Sequence, residues 1–147
     1  MELTQMDFHP LVIHFPIAFL TTYAVFELLR FQKLSDLPYW PNIKASLLFL
    51  GEISAVVTLI AALLSDALAT ETPLNDMYKI FVLVTVIIFG ISTLMYVYKK
   101  TNPLVLMSLA LVGLFFISVA GGLFGATIYG TQFDPYLSPI FKILGVY

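Results

Sequence analysis

The sequence alternates between four long apolar runs and three short, more polar connections. The apolar runs cover about residues 10–29, 45–64, 77–96 and 104–128. A helix needs about 20 mostly apolar residues to cross a bilayer, and each run reaches that length. Short connections force consecutive helices to run antiparallel. The pattern therefore predicts one all-α domain over residues 1–147, an integral membrane up-and-down bundle of four transmembrane helices.

The composition points to the same class of protein. Hydrophobic residues make up 60% of the chain and charged residues 11%, with a mean hydropathy of +0.96. A soluble domain is nearer half apolar and a quarter charged, so the lipid bilayer is the expected partner. The chain has no cysteine, which excludes disulfides and thiolate metal sites. A net charge of -2 without a basic stripe argues against a nucleic-acid partner.

The distribution of Lys and Arg predicts the orientation of the bundle. Most of these residues flank the first and third connections, and the positive-inside rule places such connections in the cytoplasm. We therefore expect a bacterial inner-membrane protein with both termini and the 65–76 loop on the periplasmic side. The start, MELTQMDFHP, lacks the basic residues of a signal peptide, so the first run should be retained. The flanking cations are Arg30, Lys33, Lys44, Lys99 and Lys100.

The C-terminal tail is apolar but too short to span a membrane. Its apolar positions fall at helical spacing, which predicts a short segment lying along the outer interface. A disordered or partner-docked terminus is the alternative. The apolar positions are Tyr136, Leu137, Ile140, Phe141 and Leu144.

Both histidines lie in the stretch FHPLVIHFPI at the start of the first run. Pro10 is expected to begin the helix, whereas Pro16 lies inside it and frees the carbonyl of Val12. His9 and His14 stand about 140° apart on a helix, so they cannot ligate one haem from opposite sides. His14 is expected to bond the freed carbonyl or an acid on another helix. Alternatively, it binds a haem b whose second ligand comes from another subunit, with His9 the other cofactor candidate.

Glu52 lies in the middle of the second apolar run. A carboxyl at that depth costs about 2.5–3.5 kcal/mol on insertion scales, so a role for it is expected. We predict a neutral hydrogen-bonded tie to hydroxyls at the same depth, with a proton relay or a salt bridge to a partner as alternatives. By contrast, Glu27 is expected to form an ordinary i,i+3 pair with Arg30. The hydroxyls at the depth of Glu52 are those of Thr22, Tyr23 and Ser118.

The end of the fourth run, AGGLFGATIYG, is rich in small residues. Gly121 and Gly125 form a G-x-x-x-G pair, and Gly122 with Ala126 repeats that spacing one residue later. Such spacing lets two helix backbones approach closely. We expect close packing here, either in a groove for the first helix or at a subunit interface. Room for a flat cofactor is the alternative.

The combination of HPLVIHFPIAFL, three further spans and the terminal GGLFGATIYG resembles the bacterial family known as domain of unknown function 2231. Members of that family are four-span membrane proteins with an N-terminal H-P-x-x-x-H-F-P-I-A signature. The resemblance implies the same architecture for nearly the whole chain. Members often carry further histidines in three regions that here read MDF, NDMYKI and GGLFG. His9 and His14 are therefore the positions that carry over.

No catalytic motif and no metal-ligand spacing is present in the sequence. We therefore predict a small accessory or structural subunit of a larger membrane complex, of the respiratory or photosynthetic electron-transfer type, without a catalytic centre of its own. Its partners would be other membrane subunits or a homo-oligomeric mate. The alternatives are a haem b electron carrier that uses His14 and a proton or small-solute conduit through Glu52.

Overall fold

The fold is built from four long helices that run up and down. A computed structural model of the chain describes residues 8–29, 32–66, 73–129, 138–143 and 145. Two further helices within that part of the chain are short. The helices are α1 (Phe8–Leu28), α2 (Gln32–Ser35), α3 (Trp40–Asp66), α4 (Pro73–Val97), α5 (Pro103–Tyr129) and α6 (Ser138–Ile143).

The four long helices form a closed ring of contacts. Helix α1 packs against α3 and α5, and α4 packs against the same two helices, so α1 and α4 lie on a diagonal. The segments Trp40–Leu64, Leu74–Val97 and Pro103–Ala126 are long and apolar enough to cross a membrane. The described part of α1 contributes a shorter apolar segment, Ile13–Leu28. The predicted all-α, four-helix membrane bundle is confirmed.

Prolines mark the beginnings of the helices, but α1 differs from the prediction. It begins at Phe8, so Pro10 lies within its first turn and His9 lies inside the helix. The first four N–H groups of a helix have no intrahelical partner, so a proline is tolerated anywhere in that turn. At α5, Asn102 Oδ1 accepts a hydrogen bond from the Leu104 N–H at 3.0 Å, and Pro103 follows the cap.

The core separates into two layers along the bundle. We call the end where α1 and α4 finish and α3 and α5 begin the basic end, because Lys44, Lys99 and Lys100 lie there. The basic-end layer comprises Leu20, Tyr23, Leu48, Ala55, Phe89 and Ile117. The distal layer comprises Ile13, Ala62, Tyr78, Val82, Val119, Ala120, Leu123 and Ala126.

The predicted interfacial tail corresponds in part to α6. Within this short helix Ile143 is 86% exposed and Lys142 is exposed as well. Tyr136, Leu137 and Leu144 lie outside the described residues. Attachment of the tail to a membrane surface stays a prediction.

Candidate functional site

A buried ion pair joins α1 to α3 at the basic end. The Lys44 Nζ donates a hydrogen bond to Glu27 Oε2 at 2.7 Å, and the two side chains are 17% and 6% exposed. Glu27 lies in the last turn of α1, and Lys44 lies in the second turn of α3. The sequence assigned Glu27 to Arg30, which lies outside the described residues. The partner that the structure gives Glu27 comes instead from the next long helix.

Two tyrosines extend this ion pair towards the bundle interior. The Tyr96 hydroxyl, on α4, donates to Glu27 Oε2 across a long 3.5 Å contact. The ring of Tyr23 meets those of Tyr96 and Phe89 edge-on, with centroids 6.4 and 6.0 Å away. The buried Tyr23 hydroxyl faces Ser92 and Tyr96 but makes no well-formed hydrogen bond with either. Glu27 therefore ties together α1, α3 and α4.

The ion pair forms one wall of an open pocket, which we call the basic-end pocket. Its volume is about 580 Å³, within the usual range of small-molecule sites. Aromatic and aliphatic side chains contribute one part of the lining, and charged or polar side chains contribute the rest. The lining residues are Phe26, Glu27, Ser35, Trp40, Pro41, Asn42, Lys44, Ala45, Phe49, Tyr96, Lys99, Thr101, Pro103 and Leu106.

Lys99 occupies an unusual backbone position at the mouth of this pocket. Its φ is 53°, and it is the one non-glycine residue with a positive φ in the part of the chain that the structure describes. The Lys99 N–H donates to the Tyr96 carbonyl at 3.2 Å, and the Lys100 N–H donates to the Met95 carbonyl at 3.0 Å. These are the two bonds of a Schellman ending, in which glycine normally occupies the left-handed position. Lys99 therefore holds a left-handed backbone conformation that a glycine would adopt without strain.

The structure separates the first-span residues that the sequence grouped together. His14 is exposed on α1, and it lines neither the basic-end pocket nor a smaller cavity between the four helices. A haem b does not fit within this chain at His14, so a partner would have to supply the rest of its site. For His9 the structure describes the backbone alone. Pro16 is buried and lines the small central cavity.

The predicted hydrogen-bonded tie between Glu52 and hydroxyls at its depth is not formed among the described residues. Glu52 lies over Gly90 of α4, where an added Cβ would be 3.3 Å from Oε1. Its Oε2 is buried without a hydrogen-bond partner among the described residues, and Tyr23 is buried as predicted. The prediction of buried hydroxyls at positions 22 and 118 is wrong. Thr22 and Ser118 are exposed and donate to the carbonyls of Ala18 and Leu114 on their own helices, the nearest acceptors in lipid.

The small-residue stretch packs inside the chain, but less tightly than two other glycines. A Cβ at Gly121 would lie 3.3 Å from Ile17 Cδ1, so α1 fills this part of the groove where a flat cofactor was considered. Ala126 is buried, whereas Gly122 and Gly125 are partly exposed. The closest approaches are elsewhere: a Cβ at Gly51 would lie 2.5 Å from Leu20, and one at Gly113 would lie 2.6 Å from Phe89.

Sequence reasoning missed the basic-end pocket, although a signal for it was present. Glu27 and Lys44 each interrupt an apolar helix one or two turns from the same end of the bundle. In lipid, opposite charges at one depth on neighbouring helices are expected to pair. For metal binding, no group of three or more His, Asp or Glu side chains that could hold an ion occurs within the described ranges.

Comparisons with known proteins agree with the architecture. A family model described as "Predicted membrane protein (DUF2231)" matches residues 5–133. The chain belongs to this family. No curated protein and no solved structure matches the chain. As a DUF2231 member, it is a membrane protein with several apolar helices and a lipid environment.

Proposed function

We propose that the protein is a small accessory subunit of a larger membrane assembly, and that the outward face of α1 attaches it to that assembly. The apolar helices place the protein in a membrane, and the surface of α1 is the proposed site of attachment. A respiratory or photosynthetic-type complex, the class expected from the sequence, is the first type of assembly to test.

The composition of the α1 surface carries the proposal. His14, Ala18 and Thr22 follow one another at intervals of four residues, and all three are exposed. They therefore share one face of the helix, whose edge is formed by Phe15, 51% exposed. In lipid, small residues allow another backbone to approach, and polar side chains form bonds between helices. A face of this composition suits a second helix better than acyl chains.

Helix α4, on the opposite corner of the bundle, provides the contrast. Apart from Asp76 in its first turn, its exposed positions carry large aliphatic side chains between 45% and 55% exposed, as expected for a surface that meets lipid. These positions are Ile80, Leu83, Ile87, Ile91, Leu94 and Val97. The partner we propose for α1 is a transmembrane helix of a different subunit. That helix would carry a small residue opposite Ala18 and a hydrogen-bonding group near His14.

Cross-linking in native membranes tests this attachment. The chain has no cysteine, so Ala18→Cys introduces a unique thiol on the α1 face. Leu83→Cys is the matched control, because both positions lie ten residues after the first residue of their helices. We expect a thiol cross-linker to give one discrete adduct with a larger membrane protein from position 18 and none from position 83. Ala18→Leu should remove the protein from that assembly on a native gel.

Three outcomes would count against the proposal. Equal adducts from both positions would mean that contact is random, and an adduct of two copies of this chain would identify a homodimer. Retention of the assembly in the Ala18→Leu variant would show that α1 does not make the contact. The haem alternative predicts a b-type band in the reduced-minus-oxidised absorbance spectrum of the isolated assembly. That band should disappear in the His14→Ala variant.

A further inference from the structure

The basic-end pocket has an apolar wall that the proposed attachment through α1 does not use. The rings of Phe26 and Trp40 pack with centroids 4.9 Å apart, and Trp40 is buried apart from 8% of its surface. Phe49 and Leu106 extend this wall across α3 and α5. Hydrocarbon placed against such side chains is removed from water, which is favourable.

Among the described lining residues of the pocket, positive charges outnumber negative ones. Three charged side chains are among its described lining residues: Glu27, Lys44 and Lys99. Glu27 neutralises Lys44 through the 2.7 Å ion pair, and the pocket keeps one net positive charge, that of Lys99. Asn42 and Thr101 add neutral hydrogen-bond donors to the lining. An occupant with one negative charge and several acceptor oxygens is therefore the best electrostatic match.

The backbone of Lys99 is a second, independent observation. A lysine held at φ 53° is strained relative to glycine, because its Cβ is crowded in the left-handed region. Strain of this kind tends to persist where a side chain has a functional role. Among the described lining residues, the strained Lys99 carries the one positive charge that is not already neutralised.

We infer that the basic-end pocket binds the phosphate headgroup of an anionic lipid, with Lys99 pairing to the phosphate and acyl carbons lying against Phe26, Trp40 and Phe49. The pocket opens between helix ends, beside Trp40, a residue type that is enriched at the level of lipid headgroups. A volume of about 580 Å³ is large enough for a headgroup and the first carbons of its chains. This site is separate from the α1 face, and neither proposal depends on the other.

Lipid retention by the purified full-length protein tests the inference. Native mass spectrometry from detergent would compare phosphatidylglycerol, which is anionic, with phosphatidylcholine, which is zwitterionic. We expect preferential retention of phosphatidylglycerol and a roughly fivefold loss of its affinity in Lys99→Gln, as for one cation near a headgroup. Lys100→Gln is the matched control because it removes the same charge from the next residue, which does not line the pocket. The affinity of the Lys100→Gln variant for phosphatidylglycerol should change by less than about twofold.

Lys99→Gly separates binding from folding. Glycine removes the charge and relieves the left-handed strain, so this variant should lose phosphatidylglycerol while its unfolding temperature rises by about 3 °C. A result in which Lys99→Gly binds as well as the native protein would overturn the assignment of Lys99.

Three further results would refute the lipid site. Equal retention of the two lipids would show that charge does not select the occupant, and equal losses in Lys99→Gln and Lys100→Gln would indicate diffuse attraction. Inorganic phosphate is the third probe. If millimolar phosphate displaces phosphatidylglycerol and binds with the same dependence on Lys99, the pocket takes a soluble anion instead of a lipid.

Discussion

The two layers of the core reach close helix packing by different means. In the basic-end layer, large side chains enter holes made by single glycines: Leu20 lies over Gly51, and Phe89 lies over Gly113. Leu20, Leu48 and Phe89 have no exposed surface there. In the distal layer the alanines of α3 and α5 lie among larger side chains, and a central cavity of about 30 Å³ remains beside Tyr78.

The two layers therefore differ in how tightly their side-chain packing is specified. A bulky side chain in a glycine hole leaves little freedom, because interiors packed at crystal-like density do not accept an added methyl group easily. In the distal layer the fit is looser, since a Cβ at Gly121 would lie 3.3 Å from the flexible end of Ile17. The layers also differ in charge, since a buried ion pair stands beside the first and the exposed pair of Asp76 and Lys79 lies near the second.

The largest effect should come from breaking the buried ion pair. Lys44→Met leaves Glu27 buried without its cation, and we expect the free energy of unfolding to fall by about 3 kcal/mol. The matched change at the distal end is Asp76→Asn, which breaks an i,i+3 pair whose carboxylate is 56% exposed. That change should cost about 0.5 kcal/mol. Unfolding by SDS titration in mixed micelles measures both.

The double variant Glu27→Leu with Lys44→Met provides a check on the cause. Replacing both charges by apolar groups should recover most of the loss seen in the single variant, because no uncompensated charge remains. Equal costs for Lys44→Met and Asp76→Asn would contradict the claim that the two ends differ.

Glycine substitutions should give the next largest single effect. Gly113→Ala forces the Phe89 ring to move, since the new Cβ would lie 2.6 Å from it, and should cost about 2 kcal/mol. Gly121→Ala meets the flexible end of Ile17 at 3.3 Å and should change stability by less than about 0.5 kcal/mol. Thermal unfolding in detergent measures the difference. A larger loss of stability in Gly121→Ala than in Gly113→Ala would instead indicate that the G-x-x-x-G motif makes the tighter helix contact.

The smallest effects should differ in sign between the two ends. Tyr96→Phe removes the hydroxyl that contacts Glu27 and should cost about 1 kcal/mol. Tyr78→Phe removes a buried hydroxyl with no hydrogen-bond partner among the described residues, so stability should rise by up to about 1 kcal/mol. The same SDS titration applies to both. Losses of equal size at the two positions would show that the Tyr78 hydroxyl is as well satisfied as that of Tyr96.

Much of the architecture was predictable from local pattern. Apolar length predicted the four long helices, and short connections predicted their up-and-down order. The beginnings of the helices were harder, because proline is compatible with several positions in a first turn, as Pro10 illustrates.

The candidate site was less predictable because rotation about a helix axis is not fixed by depth. Thr22 and Ser118 are near the expected depth of Glu52, yet both face outward. Glu27 was predicted to pair along its own helix, whereas Lys44 approaches it from the neighbouring helix. In lipid an apolar residue suits either face of a helix, so hydrophobicity alone gives little information about which side points inward.

The membrane class, the number of long helices and their antiparallel order were predictable because they follow from length and from hydrophobicity along one dimension. Only the packed bundle shows which glycines receive bulky neighbours, which cation neutralises Glu27 and that Lys99 borders a pocket. Those outcomes depend on how four helices rotate against one another. That rotation is set by the summed fit of side chains from all of them, which no single segment contains.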